Sequence, residues 1–376
     1  MSLAPGALHG LRIAQLLESD GPGGAEQVVV HLSRRLAEAG AELTVYVPAR
    51  GQGWIRTQLE GQGIGFETFD IATPFSPGFA RWLVDSFRRR RIQVAHSHEF
   101  SFAVYGAWAA PSAGVAHLNT MHGGRYYVEK IRRRIALGIA LRRTDEAVAV
   151  SERLRRHLSH DLLWPASRIH LVPNGIPERG ANPHGVRDAL GIPAGVPLLL
   201  AVGNLYPVKG HRVLLEAMAA LPPTRGHAPW LAVAGRGDEL GPLTVLADRL
   251  GLAERVRFLG IRSDVPDLLA AADLFVMPSL SEGLPIAILE AMFAGKPIVA
   301  SAVGDIGAAV GEGGLLVPPG EPAPLAQAMA RLLDNPDLGR AMGARGLIRA
   351  RAEYTVDRMT GRYVELYRLA LSRRRA

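Results

Sequence analysis

Short apolar runs alternate with helical patterns along almost the whole chain, and this alternation restricts the possible fold more than any other feature of the sequence. In the first half, buried strands are predicted at residues 11–17, 43–47, 92–96 and 147–150, and helices at 25–39, 79–90 and 151–158. The pattern begins again after a Pro- and Gly-rich junction, with strands predicted at 198–203, 230–235, 256–260, 274–278 and 297–300. Alternation of this kind predicts parallel sheets with helices on both faces.

Two such series within 376 residues predict two doubly wound, Rossmann-like α/β domains. We place the first domain at residues 1–176 and the second at residues 177–356, and we expect the helix of residues 357–376 to pack back on the first. Because parallel sheets of this type bind ligands at the carboxyl ends of their strands, we expect the ligand cleft to lie between the two domains.

The composition excludes several classes of protein. The chain has no cysteine, which rules out disulfides and cysteine-ligated metals and fits a reducing compartment. The first ten residues lack a signal-peptide pattern. No apolar run reaches the length of about 18 uncharged residues that a spanning helix needs. We therefore expect a cytoplasmic protein without a transmembrane segment.

The net charge of +8 belongs mainly to the first half of the chain. Residues 1–177 contain 21 Lys and Arg against 15 Asp and Glu, whereas the remaining residues contain 22 against 20. The densest basic clusters are residues 88–91, with Phe79, Trp82 and Phe87 nearby, and residues 132–134. Three interpretations are open: a solvated surface, a face that contacts an anionic membrane or acceptor, and a nucleic-acid surface. No nucleic-acid module is recognisable, so we expect no nucleic-acid partner.

Two glutamates eight residues apart, Glu282 and Glu290, flank a predicted helix start at Pro285. The free N–H groups of a helix N-terminus suit a phosphate, and carboxylates beside it can accept hydrogen bonds from hydroxyls. A phosphate next to hydroxyls is the surface of a sugar nucleotide. The alternative is an ordinary helix with one exposed glutamate and one acid near its N-terminus.

Three loops after predicted strands carry further candidates. Only three of the 43 basic residues are lysines, and one of them, Lys209, lies in a glycine-flanked loop where it could meet phosphate oxygens rather than only water. Gly23 and Gly24 precede a helix and would let backbone N–H groups approach a ligand, unless they form a plain turn. The loop around Arg236 is a weaker signal, because glycine turns at strand ends are common.

Three histidines follow predicted strands: His96 and His98 after the strand at 92–95, and His122 after residues 116–121. Histidines at such positions suit polar contacts to substrate hydroxyls. A zinc site is the competing interpretation, but tight ligand spacing is missing. We therefore predict no metal site and no resident cofactor.

Together these segments resemble the retaining glycosyltransferases of family 4, which have the GT-B fold. The resemblance covers nearly the whole chain and is strongest over residues 172–320. It implies that Glu282 contacts the hydroxyls of a donor sugar and that Glu290 contacts those of a ribose. It also implies contacts from the backbone of Gly283, Leu284, Pro285 and Ile286 to the sugar and the phosphate.

The same resemblance assigns roles in both halves of the chain. Lys209 matches the lysine that binds the diphosphate, and Gly23 and Gly24 match the glycine loop beside it. His98 matches the histidine that lies over the donor sugar near the transferring carbon. On this basis the candidate catalytic residues are His98, Lys209 and Glu282, and Asn204 and Arg236 join the candidate donor-binding residues.

One position departs from the family pattern. Such proteins commonly carry an arginine five residues before the lysine, and here that residue is Asn204. The loss of one cation from a diphosphate site costs on the order of 1–3 kcal/mol unless another group replaces its charge-assisted bonds. Arg212, Arg236 and Arg262 are the candidates for that replacement, and the sequence does not choose among them.

The resemblance implies transfer of a hexose from a nucleoside diphosphate sugar to an acceptor hydroxyl with retention of configuration and without a metal. The basic first half favours a saccharide or lipid-linked acceptor and a peripheral position on an anionic membrane surface. Five residues could line the acceptor side or could equally be packing or surface residues: Phe75, Tyr105, Arg125, Tyr126 and Tyr127. Two alternatives are a non-catalytic GT-B-like binding subunit, which Asn204 favours, and a sugar-nucleotide epimerase, which needs no acceptor.

Overall fold

A computed structural model describes residue 4 and residues 6–51, 53–71, 76–123, 127–224 and 226–375. The chain divides into two compact units. Unit 1 contains Met1–Pro177 and Tyr354–Ala376, and unit 2 contains Glu178–Glu353. The boundaries predicted from the sequence stand at 176/177 and 356/357.

The described residues of unit 1 begin with seven strands and six helices. The strands are β1 (Arg12–Leu16), β2 (Glu42–Pro48), β3 (Gly65–Phe69), β4 (Val94–His98), β5 (Ala116–Met121), β6 (Glu146–Ala149) and β7 (Ile169–Leu171). The helices are α1 (Gly24–Glu38), α2 (Trp54–Glu60), α3 (Pro77–Arg89), α4 (Glu99–Ala113), α5 (Ile131–Arg143) and α6 (Glu152–Asp161). Two helix starts follow from local chemistry, because the hydroxyls of Ser76 and Ser151 accept hydrogen bonds from the N–H groups three residues later.

Within residues 178–224 and 226–353, unit 2 adds six strands and eight helices. The strands are β8 (Leu198–Val202), β9 (Trp230–Ala234), β10 (Val256–Phe258), β11 (Leu274–Met277), β12 (Ile298–Ser301) and β13 (Gly314–Val317). The helices are α7 (Val186–Ala189), α8 (His211–Ala220), α9 (Leu240–Arg249), α10 (Val265–Ala271), α11 (Ile286–Phe293), α12 (Ile306–Val310), α13 (Pro322–Asp334) and α14 (Pro336–Glu353). The chain then returns to unit 1 as α15 (Val356–Arg375), which packs against α1 and β5.

Both sheets are parallel and doubly wound, which confirms the predicted fold class. The strand order is β3-β2-β1-β4-β5-β6-β7 in unit 1 and β10-β9-β8-β11-β12-β13 in unit 2. In each sheet the order reverses between the first and the fourth strand of the unit, β1/β4 and β8/β11. Ligands of such sheets bind outside the carboxyl ends of the strands at this reversal. The residues that follow β1 and β4 are therefore the candidate site of unit 1, and those that follow β8 and β11 are the candidate site of unit 2.

Two sequence-based expectations for unit 1 are wrong in detail. His96 and His98 do not follow a strand but belong to β4, which starts two residues later than predicted and continues through His98. The sequence pattern predicted the wrong strand end because the apolar run stops at the polar residues 96–98. Inside the sheet these side chains are buried and form hydrogen bonds. The aromatic residues of α3 do not form an exposed anchor either, since Phe79 and Phe87 are buried and Trp82 stacks on Phe79.

Candidate functional site

The reversal point of the unit 2 sheet brings a lysine and a glutamate together. Lys209 lies in the turn after β8, and Glu282 lies in the loop after β11. The Nζ of Lys209 donates to Oε1 of Glu282 at 2.6 Å, and the hydroxyl of Ser279 donates to the same oxygen at 2.8 Å. The side chain of Lys209 remains 27% exposed and that of Glu282 only 9%, so the cation of this pair is the part that a ligand reaches more easily.

Backbone packing holds these two loops at that distance. Gly210, next to Lys209, has φ of +67°, and a Cβ added there would stand 2.1 Å from the carbonyl oxygen of Pro278. Only glycine tolerates both the conformation and the close approach. The N–H of Leu280 then donates to the carbonyl of Val208 at 2.8 Å and joins the two loops directly.

Helix α11 begins at the end of the same loop. Pro285 is its N-cap residue and Ile286 its first residue, within one residue of the predicted start. The segment Gly283–Ile286 therefore leads into a helix N-terminus whose first N–H groups have no intrahelical partner. Gly304 supports it from below, because a Cβ there would lie 2.3 Å from the carbonyl oxygen of Glu282, and Asp305 N–H donates to Gly283.

Glu290 lies in the second turn of α11 and is half-buried. Burial raises the pKa of its carboxyl group to about 7, and the positive charge of Arg179 offsets part of this shift. Within the part of the chain that the structure describes, no residue donates a hydrogen bond to this carboxyl group. Glu290 is thus a polar group with unused hydrogen-bonding capacity, as a residue that accepts ligand hydroxyls would be.

The loop after β9 adds a cation beside Asn204. The carbonyl of Arg236 accepts from the N–H of Leu205 at 2.8 Å, which fixes Arg236 next to the loop that holds Asn204. The guanidinium of Arg236 is exposed and bonds to no acid among the described residues. Arg262, in contrast, is committed to Asp264 at 2.5 Å. Arg212 is exposed at the start of α8. Of the three candidate replacements, the structure therefore excludes Arg262 most clearly and favours Arg236 by position.

In unit 1 the glycine loop lies at the start of α1, where Gly23 is the N-cap residue and Gly24 the first residue. The carboxylate of Glu26 folds back over this loop: a Cβ on Gly23 would stand 2.4 Å from its Oε2. An acid in the first turn complements the positive end of the helix. It also means that an anionic ligand at this helix start would meet a negative charge that the glycine pattern does not reveal.

His96 and His98 lie on one face of the unit 1 sheet. Residues 96 and 98 of β4 share a face because side chains alternate along a strand, and His122 follows the neighbouring strand β5. His98 Nδ1 is 2.8 Å from Nε2 of His122, and His98 Nε2 is 2.8 Å from Oε1 of Gln15 on β1. His98 is completely buried with both ring nitrogens bonded inside unit 1, whereas His122 keeps some accessible surface. This differs from the predicted direct contact of His98 with a sugar.

Burial keeps these rings neutral. It lowers the pKa of His98 and of His96 well below the ordinary value, with a smaller contribution from neighbouring histidines. It also lowers the pKa of His122 to about 4 and that of His117 to about 3. The pair His98–His122 therefore carries no charge at neutral pH, and of its two members only His122 keeps accessible surface.

Glu99, directly after His98, is one of three non-glycine residues with positive φ among the described residues, at +64°. Its carboxylate accepts the backbone N–H of His122 at 3.0 Å. Positive φ in such a residue is uncommon and concentrates at functional sites. The sequence contains Glu99 next to His98, but no pattern shows this conformation. Gln15 was missed in the same way, because its partners His98 and Tyr367 come from other elements of the fold. Ser279 was missed although its partner Glu282 lies only three residues further along the same loop.

Other predicted features have simple outcomes. Tyr105 and Tyr127 are buried, and their hydroxyls bond to Ser76 N–H and to Asp161, so they pack in unit 1 instead of lining a surface. Phe75, Arg125 and Tyr126 lie outside the described residues. Across the described ranges, no group of three or more His, Asp or Glu is arranged to hold a metal ion, and no helix there combines the length and apolar character needed to cross a bilayer.

Comparison with known proteins gives the family. Residues 22–179 match the family model described as Glycosyltransferase Family 4, and residues 186–348 match that described as Glycosyl transferases group 1. The lipopolysaccharide core biosynthesis glycosyltransferase LpsE of Rhizobium meliloti is 30% identical over 92% of this chain and 95% of its own. D-inositol 3-phosphate glycosyltransferase of Thermobispora bispora is 29% identical over 93% of this chain and 91% of its own.

Solved structures agree with the fold. The crystal structure of Anabaena Alr3699/HepE in complex with UDP-glucose superimposes with a TM-score of 0.84 at 24% identity, over 94% of this chain and 98% of that one. WaaG, a glycosyltransferase involved in lipopolysaccharide biosynthesis, superimposes with a TM-score of 0.69 at 19% identity, over 96% and 98%. The chain therefore belongs to the group 1 glycosyltransferases of family 4 and has their GT-B fold.

Proposed function

We propose that this glycosyltransferase moves a hexose from a nucleoside diphosphate sugar to an acceptor hydroxyl and retains the anomeric configuration. The observation that carries the proposal is the cluster at the reversal point of the unit 2 sheet: Lys209 bonded to Glu282, beside the N-terminus of α11. A cation, a carboxylate and free backbone N–H groups are the complement of a diphosphate linked to a hydroxyl-bearing sugar.

Different groups of unit 2 bind different parts of the donor. Lys209 and the N–H groups at the start of α11 bind the diphosphate, and Arg236 supplies the second cation that Asn204 lacks. A diphosphate would draw Lys209 away from Glu282 and leave that carboxylate, still bonded to Ser279, to accept hydroxyls of the sugar. Glu290 accepts the ribose hydroxyls, and these bonds favour its ionised form.

The chemical step needs no covalent intermediate. The bond between the anomeric carbon and the diphosphate oxygen breaks while the acceptor oxygen forms its bond on the same face of the sugar. The proton of the acceptor hydroxyl passes to the departing diphosphate oxygen. Negative charge grows on the leaving group, and Lys209 with the α11 N-terminus is placed to stabilise it. His98 and His122 of unit 1 are neutral and so carry no charge that would repel a positive sugar.

A donor and acceptor panel tests this function. Purified protein is incubated with UDP-, GDP- and ADP-hexoses, with and without saccharide and lipid-linked acceptors, and products are identified by mass spectrometry and by the NMR coupling of the new anomeric proton. We expect one donor to be consumed only with an acceptor, with its configuration kept. Conversion without an acceptor would assign an epimerase, tight donor binding without turnover a binding subunit, and an inverted product would contradict the mechanism.

We further propose that the acceptor is presented at an anionic membrane through α5 of unit 1. Ile131, Ile135 and Ile139 recur every four residues on one face of this helix and are 61%, 55% and 48% exposed. Arg132 and Arg134 lie beside them, are exposed, and bond to no acid in the described part of the chain. On neighbouring α4, Trp108 is 47% exposed and carries the guanidinium of Arg143 at 4.0 Å. Apolar side chains rimmed by arginine and tryptophan suit an anionic bilayer interface.

Vesicle sedimentation tests this surface. Wild-type protein is expected to sediment with vesicles of mixed phosphatidylglycerol and phosphatidylcholine but not with phosphatidylcholine alone. The triple change of Ile131, Ile135 and Ile139 to Gln should abolish sedimentation, while Ile348→Gln, at a 69% exposed position of unit 2, should not. Equal binding to both vesicles would contradict the proposal. A dimer in analytical ultracentrifugation that the triple variant dissociates would assign the stripe to a second copy of the chain instead.

A further inference from the structure

A continuous chain of buried hydrogen bonds connects the C-terminal helix α15 with the histidine pair. Oε1 of Gln15 lies 2.8 Å from Nε2 of His98, and the amide nitrogen of Gln15 donates to the hydroxyl of Tyr367 at 3.3 Å. That hydroxyl is 2.8 Å from Nδ1 of His96. His96 Nε2 is 2.8 Å from the hydroxyl of Thr120, which donates to the hydroxyl of Tyr363 at 3.2 Å. Tyr363 and Tyr367 are one turn apart on α15, and all these side chains are completely buried.

The donor and acceptor roles in this chain are interdependent. Thr120 gives its proton to Tyr363, so it must receive one from Nε2 of His96. A neutral His96 then has a bare Nδ1, which accepts from Tyr367. Tyr367 in turn accepts from the amide nitrogen of Gln15, and Gln15 is left with its carbonyl oxygen toward His98.

The orientation of Gln15 also determines which nitrogens of His98 and His122 are protonated. The carbonyl oxygen of Gln15 requires a proton on Nε2 of His98, and the bare Nδ1 of His98 requires a proton on Nε2 of His122. All three neutral histidines therefore carry their proton on Nε2. The opposite assignment satisfies every partner only if all members reverse together, because each has one donor and one acceptor in the chain.

From this geometry we infer that Gln15 and Tyr367 are positioning residues that fix the tautomers of His98 and His122 from the C-terminal helix. Gln15 is the central residue, because its side-chain amide has a donor end, the NH2 group, and an acceptor end, the carbonyl oxygen. The orientation of this amide therefore decides which ring nitrogen of His98 carries the proton. Tyr367 fixes that orientation by accepting a hydrogen bond from the NH2 group. The sequence hides this arrangement because Tyr367 lies 352 positions from Gln15. The inference rests on the proposed function and adds which residues of unit 1 orient its histidines.

Nitrogen-15 NMR of histidine-labelled, full-length protein tests the inference without any activity. The shifts of the two ring nitrogens distinguish which one is protonated. In the wild type we expect His96, His98 and His122 each to show one tautomer, with the proton on Nε2. In Tyr367→Phe the amide of Gln15 loses its partner and can turn, so His98 and His122 should show both tautomers. Unchanged single tautomers in that variant would overturn the inference.

Two further variants keep the test decisive. Gln15→Met removes both the donor and the acceptor of the amide and should mix the tautomers of His98 and His122 in the same way. This variant covers the case that Tyr367→Phe does not fold. Tyr46→Phe is the matched control. Tyr46 is also completely buried in unit 1, but its hydroxyl bonds to Ser86 at 2.8 Å and takes no part in the series of hydrogen bonds that leads to His98. Mixed tautomers in Tyr46→Phe would show general loosening of the core and would overturn the inference.

Steady-state kinetics test whether this chain of hydrogen bonds affects sugar transfer. We expect Tyr367→Phe to lower kcat about 10-fold at unchanged donor KM, the scale on which outer hydrogen-bond partners act on a site, and Tyr46→Phe to leave kcat unchanged. If wild-type protein transfers no sugar, the proposed function fails while the NMR result still decides the positioning chain. If transfer occurs and Tyr367→Phe retains full kcat, the positioning role is wrong although the proposed function stands.

Discussion

Units 1 and 2 share one fold but place their charge in opposite ways. Unit 1, with α15 included, contains 27 Lys and Arg against 17 Asp and Glu, a net charge of +10, whereas unit 2 contains 16 against 18, a net charge of −2. Yet the histidines of the candidate site of unit 1 are neutral and its glycine loop carries one acid, Glu26. The candidate site of the acidic unit 2 holds the Lys209–Glu282 pair, Glu290 and Arg236. The excess positive charge of unit 1 therefore lies outside its candidate site, whereas the candidate site of unit 2 contains charges of both signs.

This difference separates two roles. A field spread over a surface attracts an anionic partner and weakens as salt rises, which suits the docking of an acceptor-bearing membrane. Charges fixed at a helix N-terminus and a sheet reversal act on one ligand with defined geometry. The comparison therefore predicts that single substitutions in unit 2 affect donor binding and turnover strongly, and that unit 1 responds through its hydrogen-bond network and its exposed face.

The largest expected effect is that of Lys209→Ala. Because the ammonium group stabilises the charge of the departing diphosphate, we expect kcat to fall about 10²–10³-fold, the range seen when one preorganised donor is removed. Lys209→Arg keeps a cation but changes its geometry, and should recover only part of the loss. Steady-state kinetics with the identified donor measure both. A Lys209→Ala variant with wild-type kcat would break the assignment of the leaving-group site to unit 2.

Glu290→Gln is expected to weaken the binding of the ribose. The carboxylate accepts two hydroxyl hydrogen bonds in the proposed complex, and an amide offers only one oxygen for them. We expect the Kd for the nucleoside diphosphate to rise about 10-fold, the loss of roughly one charge-assisted bond, with kcat at saturating donor nearly unchanged. Titration calorimetry measures the affinity. A fall in kcat at unchanged Kd would move Glu290 from donor binding to chemistry.

A smaller effect is expected at the second cation. Arg236→Ala should weaken diphosphate binding about 5-fold, within the range of an exposed charge-assisted contact. Arg262→Ala is the matched control, since its guanidinium is committed to Asp264, and should leave the Kd unchanged. Asn204→Arg should tighten binding and make Arg236→Ala less harmful. Equal losses in Arg236→Ala and Arg262→Ala would show that position in the loop does not matter.

The smallest effect concerns stability. The folded-state pKa of Glu290, about 7, lies above its ordinary value of 4.5. A raised pKa contributes stability that is fully present below pH 4.5 and is lost as pH rises through about 7. Above pH 7 the ionised, half-buried group therefore costs stability, on the order of 1–2 kcal/mol after allowance for its exposure. We expect Glu290→Gln to raise Tm at pH 8 and to leave it unchanged at pH 4.5. The opposite pH dependence would contradict this environment.

How much the sequence predicts also differs between the units. The fold class and the start of α11 follow from local patterns, and in unit 2 the chemistry lies in short segments with charged residues such as Lys209 and Glu282. In unit 1 the decisive neighbours are distant in the chain. His98 is the last residue of the buried strand β4, and its bonding depends on Gln15 and, through Gln15, on Tyr367 of α15. No local pattern encodes such contacts, so the sequence found the histidines but not their buried, neutral state.

The most direct test of the central claim is proton-linked binding of nucleoside diphosphates to the intact protein. Calorimetric titrations with UDP, GDP and ADP at pH 7, in two buffers of different ionisation heat, count the protons exchanged. Since ribose hydroxyls favour the ionised form of Glu290, we predict tight binding of one nucleotide. That binding should release more protons than it does in Glu290→Gln, by about half a proton for a group half-ionised at this pH. No binding of any nucleotide, or equal proton release in both proteins, would contradict a charged donor site in unit 2.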